Sequence, residues 1–239
     1  VKVFNLPILP AMAISMLITA AIGMTIERFA YRPLRMSDRL APLLSALGVS
    51  IVLSNTAQII WGTETHGFPQ LLPTVMLDIG GVMISSLQLI IIALSIVLML
   101  ALYYVVQHSK WGIAMRAVSY NMQYARLMGI DVDRVIAITF AVGSSLAAAA
   151  GILVGVYYDA VFPTMGYSAG LKAFTAAVLG GIGNVPGAML GGIILGLAEN
   201  IGAAYLASGF RDAIAFGILV LILLIRPTGL LGKVYQHKV

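Results

Sequence analysis

The chain has no cysteine and very little charge, and each shortage removes a class of function. Without cysteine there is no disulfide, no thiol nucleophile and no thiolate metal site, and neither redox compartment is selected. Only 10% of the residues are Asp, Glu, Lys or Arg, against about 25% in soluble domains. The three histidines, His66, His108 and His237, are scattered, so no metal site is expected. The stretch Gly232–Val234 (GKV) lacks the spacing and the Ser or Thr of a phosphate loop, which argues against ATP binding of that kind. No nucleophile, base and orienting group lie together in sequence, so catalysis has little support and no cofactor is expected.

What is abundant is apolar. Sixty per cent of the 239 residues are hydrophobic and the mean hydropathy is +1.00. Continuous apolar runs of span length recur along the chain. They predict an all-α, polytopic transmembrane bundle in a lipid bilayer, forming one domain over 1–239, rather than a β-barrel of short alternating strands. The net charge of +5 belongs to loops beside the bilayer and does not argue for nucleic acid.

Spans are expected near Pro7–Ile26, Ala41–Ile60, Val82–Val106, Val135–Tyr157, Ala188–Leu206 and Ala213–Ile225. Eleven of the fourteen Lys and Arg fall in 27–40, in 107–134 and from Arg226 onward. The remaining three are Lys2, Lys172 and Arg211. The positive-inside rule therefore puts those three segments, and the C-terminus, in the cytoplasm. Parity then requires an inward pass between Gly170 and Pro186. Only about 14 residues are available, roughly 21 Å of helix against a core of about 30 Å. The expectation is a short or broken helix near 171–186 that ends in a glycine-rich hinge of Gly180, Gly181, Gly183, Pro186 and Gly187. Irregular backbone at membrane depth lines a protected or wet path; the alternative is a tight turn near the cytoplasmic face.

Other signals have two readings. Ser50, Ser54 and Gln58 share one face of the second span, and Glu199 and Asn200 lie within the fifth full-length span. They are candidates for a translocation path. Alternatively the serines bond their own backbone and Glu199 forms a structural ion pair, with Lys172 or Arg211 as partners. Small residues at Gly143, Ala147, Gly151 and Gly155, and again at Gly187, Gly191, Gly192 and Gly196, suit close helix approach, around a path or in ordinary packing.

The hydrophilic stretch His108–Arg134 (HSKWGIAMRAVSYNMQYARLMGIDVDR) reads as a capped helix between spans. Ser119 or Asn121 can cap its start, Gly129 can supply a left-handed end, and Asp131 can cap the next helix.

Several stretches occur in a characteristic order: ERFAYRPLR, LAPLLSALGVSIVLSN, WGIAMRAVSYNMQYARLMGIDVDRVIAITFAVGSSLAAAAGIL, FTAAVLGGIGNVPGAMLGG and LIRPTGLLG. Together the chain resembles the permease subunits of bacterial ABC importers for branched-chain amino acids; permeases for urea and short amides share much of the pattern. The resemblance implies one or more further spans ahead of Val1 and a multi-pass protein of the bacterial inner membrane. It implies a second related permease, two ABC ATPase subunits and an extracytoplasmic substrate-binding protein as partners. It also makes the loop a coupling helix seated on an ATPase, through Arg116, Ala117, Ala125, Arg126, Met128, Gly129 and Ile130. A stand-alone secondary transporter or channel, with Glu199 as its ion site, is the rival reading.

Overall fold

The computed structural model describes residues 8–35, 37, 40–68, 75–205 and 208–232. Lys2, Pro7, Arg39, Leu206, Lys233, His237 and Lys238 of the sequence reading lie outside them. Among the described residues five helices are long and apolar enough to cross a membrane. The chain divides into two compact units, 1–164 and 165–239.

In the first unit α1 (Ile8–Ile26) runs into a π turn (Glu27–Tyr31), and α2 (Leu40–Trp61) follows. Two short strands come next, β1 (His66–Gly67) and β2 (Met76–Ile79), then β3 (Val82–Ser85). The long α3 (Ser86–His108) leads to α4 (Lys110–Tyr120), α5 (Met122–Leu127) and α6 (Val132–Tyr158), and β4 (Ala160–Val161) closes the unit. The sequence places the third span from Val82, but Val82–Ser85 pairs antiparallel with Met76–Ile79. Gly80 and Gly81, both at positive φ, form the two-residue turn that such a hairpin favours. The helix starts only where Ser85 and Gln88 make a reciprocal capping box. A short apolar run does not distinguish strand from helix, so hydropathy alone hides this boundary.

The main packing of the unit is α1 against α6. A Cβ on Gly23 would collide with Ser144, so glycine sets how closely the helices cross. The rings of Tyr31 and Phe140 meet at a tilt, with centroids 4.9 Å apart, further along. By contrast no residue of α3 is buried. The α6 stripe Gly143 and Gly151 faces open space, while Gly155 lies against Phe68 and Val161.

The second unit contains α7 (Met165–Gly180), α8 (Val185–Tyr205), a single 3-10 turn (Ser208–Phe210) and α9 (Arg211–Ile225). The segment expected to make the inward pass is a short, unbroken helix of 16 residues, about 24 Å long. It ends in a tight turn in which Gly181 and Gly183 take φ of 106° and 88°. Pro186 sits in the first turn of α8, where its missing N–H costs nothing. Gly180, Gly187 and Gly191 let α7 and α8 touch backbone to backbone.

The end of α7 leaves carbonyls without intrahelical donors. The segment after α9 supplies them: Leu230 N–H donates to Leu179 O at 2.8 Å and Leu231 N–H to Gly180 O at 3.0 Å. Asn184 ties the turn to that segment and to the start of α8, donating to Leu231 O at 2.9 Å and accepting from Gly187 N–H at 3.1 Å. Gly229, at φ 76°, is pressed against Gly181 and Val178 backbone. Gly229→Ala is expected to cost about 3 kcal/mol, combining roughly 1–2 for the left-handed backbone with 1–3 for overpacking. Gly183→Ala, whose Cβ would meet open space, is expected to cost only about 1 kcal/mol. Thermal unfolding of the two variants in detergent checks the order.

Candidate functional site

The arginine-rich segments of the first unit build the site. α3 stops at Ser109, which serves two helices at once. Its N–H donates to Val105 O, and its hydroxyl accepts from Gly112 N–H at 2.9 Å to cap α4. Gly112 lies so close to the Val105 and Val106 carbonyls that no side chain fits. Arg116 reaches back to Val106 O and to Gln107 Oε1. The elbow between α3 and α4 is therefore held by backbone, hydroxyl and guanidinium together.

Asn121 then ends α4 and caps α5, its Oδ1 accepting from Gln123 and Tyr124 N–H groups at 2.9 and 3.1 Å. Gly129, at φ 80°, closes α5, with Ile130 N–H bonded to Ala125 O. Asp131 caps α6 through Arg134 N–H at 3.1 Å. Of the sequence candidates for the first cap, Asn121 is the one that performs it. Ser119 instead donates to Arg116 O.

These short helices share a small core. Val118, Ala125, Val132 and Val135 are buried together, flanked by Ala114, Met115, Ile130 and Ile136. Ala125 and Ile130 thus belong to the base of the segment, and Ala117 is half-buried. Arg116 remains exposed, yet it is bonded to the end of α3. The outward tip is apolar instead: Leu127 is 81% and Met128 83% exposed, beside exposed Tyr124 and Gly129. So the seven residues chosen from the sequence occupy one compact segment but divide between its base and its tip.

A charged network underlies it. Glu27, in the π turn, is 1% exposed. Arg35 donates to Glu27 Oε1 at 2.5 Å and to Asp133 Oδ1 at 2.6 Å. Arg32 also bonds Asp133, and Arg126 lies 3.8 Å from it. Sequence reading missed these partners. Arg32 and Arg35 lie about a hundred residues from Asp133, and no periodicity joins positions on different spans. The only clue was that loops 27–40 and 107–134 share one side by charge.

The path candidates divide between the units. Ser50, Ser54 and Gln58 lie along one face of α2, Ser50 exposed and the others half-buried. Glu199 and Asn200 belong to α8. Asn200 donates to Gly196 O in its own helix at 2.8 Å. Glu199 Oε2 pairs with Lys172 Nζ at 3.0 Å, and Lys172 also reaches Asp212 at 3.1 Å. One lysine thereby links α7, α8 and α9, which is the ion-pair alternative raised for Glu199. Of the hinge residues, Gly181 and Gly183 form the α7–α8 turn described above, Gly180 ends α7, and Pro186 and Gly187 lie in the first turn of α8. Among the described residues no cluster of His, Asp and Glu has the makings of a metal site.

Residues 1–225 match the family described as the branched-chain amino acid transport system permease component. The chain belongs to that family. It is 44% identical over 238 residues to the high-affinity branched-chain amino acid transport system permease protein BraD of Pseudomonas aeruginosa, covering 98% of this chain and 78% of that protein. It is 44% identical over 229 residues to LivH of Escherichia coli, a permease of the same description, covering 94% and 74%. A probable LivH of Methanocaldococcus jannaschii is 33% identical over 144 residues, covering 57% and 45%. No solved structure matches the chain. As a permease family member with five span-length helices, it is an integral membrane protein.

Removing Lys172 leaves the Glu199 carboxylate without its cation. Lys172→Met is expected to cost about 2 kcal/mol, below the roughly 3–5 of a fully buried pair because Lys172 keeps 28% exposure. Adding Glu199→Gln should restore most of the loss, as read by thermal unfolding in detergent. An independent ion site at Glu199 would instead make the double variant the worse transporter.

Proposed function

We propose that the chain is the permease subunit of an ATP-driven importer for branched-chain amino acids in the bacterial inner membrane. It works with a second related permease, two ATPase subunits and an extracytoplasmic binding protein. The relatives' transport role supports the substrate class, and the eleven clustered basic residues support cytoplasmic loops and a cytoplasmic C-terminus. The scarcity of charge in the spans suits a substrate that is neutral overall. A zwitterion can be met by hydroxyls, amides and helix ends without a fixed ion. The permease carries no ATP site of its own in this reading; hydrolysis belongs to its partners.

The observation that carries the proposal is the α4–α5 segment: a buried, triply capped base presenting an exposed apolar tip. Apolar side chains that stay exposed on a firm base form a docking knob. Leu127, Met128 and Gly129 make the contact with the ATPase groove. Ala125 and Ile130 keep the knob in shape, and Arg116 fixes the elbow. ATP-driven closure of the ATPase pair then moves the knob and biases the spans between two access states.

Affinity purification of the protein from native membranes, with mass spectrometry of the co-purifying chains, tests the assembly. Two ATPase subunits and a second permease are expected, with ATP hydrolysis stimulated by leucine but not by urea. Recovery of the chain alone overturns the proposal. Leu127→Asp with Met128→Asp should weaken ATPase retention about 30-fold or more, the loss of roughly 2 kcal/mol or more at a hot spot. The same variant should keep its thermal stability, since both side chains are already exposed.

A further inference from the structure

We infer that Glu27, Arg35 and Asp133 form the mechanical joint through which the α4–α5 knob drives α1 and α2; the inference rests on the docking proposal above. The knob shares its core with the first turn of α6, through Val132 and Val135, so knob and helix base move as one body. Asp133 sits in that turn and is the group by which the body is gripped. Arg32 and Arg35 hold both its oxygens from the segment that follows the π turn.

Arg35 does not end there. Its second nitrogen holds Glu27, whose side chain is almost entirely enclosed. A carboxylate so enclosed needs its cation, and the planar guanidinium fork serves two carboxylates at fixed spacing where a lysine ammonium would serve as a single point. The π turn that carries Glu27 continues directly from α1. It is also the principal support of α2 within the unit: Ser45 Oγ donates to Ala30 O at 3.3 Å, and no residue described in α2 is buried. A displacement of the knob therefore passes from Asp133 through Arg35 to Glu27, and from the π turn to α1 and to the base of α2, the helix that carries Ser50, Ser54 and Gln58. Single-turn π segments are common where helices do functional work, and this one joins two spans at the point of the ion pairs. Arg126 at 3.8 Å from Asp133 adds a strand of the network from α5 itself.

A joint differs from a docking contact in what its loss changes. It should leave the complex assembled and hydrolysing ATP while separating hydrolysis from transport. Asp133→Asn is the decisive variant: the side chain is a third exposed, keeps its size and lies outside the knob's tip. Glu27→Gln tests the other end, and the double variant tests whether the two act in series. Each is reconstituted as the full complex in proteoliposomes, with ATPase subunits per permease, ATP hydrolysis and leucine uptake per ATP measured together. Subunit content and hydrolysis should stay near wild type. Uptake per ATP should fall about tenfold, within the usual range of coupling between sites. The double variant should be no worse than the worse single one. Unchanged uptake per ATP in Asp133→Asn with the subunits retained overturns the joint and leaves the docking proposal standing. Loss of the ATPase subunits from Asp133→Asn also overturns it, by placing Asp133 in the docking contact. Absence of ATPase subunits from the wild-type complex overturns the docking proposal itself, and the joint with it.

Discussion

A backbone inside lipid has no water to bond, so each helix must satisfy itself and each helix end must find its own substitutes. Inside the bilayer the helices answer it themselves, and where they stop, in lipid or beside it, their unmet end groups are met by particular side chains. Ser85 with Gln88 opens α3, Ser109 both ends α3 and opens α4, Asn121 opens α5 and Asp131 opens α6. Where no side chain can serve, another piece of backbone does, as Leu230 and Leu231 do for the end of α7. The apolar faces between these points are interchangeable by comparison. They need only be apolar and, at Gly23 or Gly191, small.

The same economy governs charge. Apart from the local pair of Arg134 with Asp131, the described ion pairs gather at two stations, one in each unit. Lys172 links three helices in the second unit, and the Arg32–Arg35–Asp133–Glu27 group links the π turn to α6 in the first. Both use a cation shared between two carboxylates. In each case the shared cation sits on a different element from at least one of its partners, so the charges join elements as well as neutralise one another.

Much of the fold was legible in the sequence because span-length hydropathy and charge asymmetry are strong signals. Both act over twenty residues at once. The ends of α1, α2, α6, α8 and α9 fall within a few residues of expectation for that reason. The start of α3 does not, because Val82–Ser85 is apolar in either a strand or a helix and only pairing with Met76–Ile79 decides it. Caps at Asn121, Gly129 and Asp131 were legible because they are local chemistry. The division of the loop into base and tip was not: burial of Ala125 depends on Val132 and Val135 beyond the turn. Long-range pairs such as Arg35 with Asp133 left only the shared charge of their loops in a single sequence, whereas Lys172 with Glu199 left a direct trace, since a lone intramembrane carboxylate demands a cation.

The closing of the α7–α8 turn by Leu230 and Leu231 also orders events in time. A chain is made from its N-terminus, and the turn at Gly181–Asn184 is complete about fifty residues before its partner segment exists. Until that segment leaves the ribosome, the carbonyls of Leu179 and Gly180 lack those two donors. The second unit is thus sealed only when the segment after α9 arrives, and a chain that stops short of Leu230 carries an open seam.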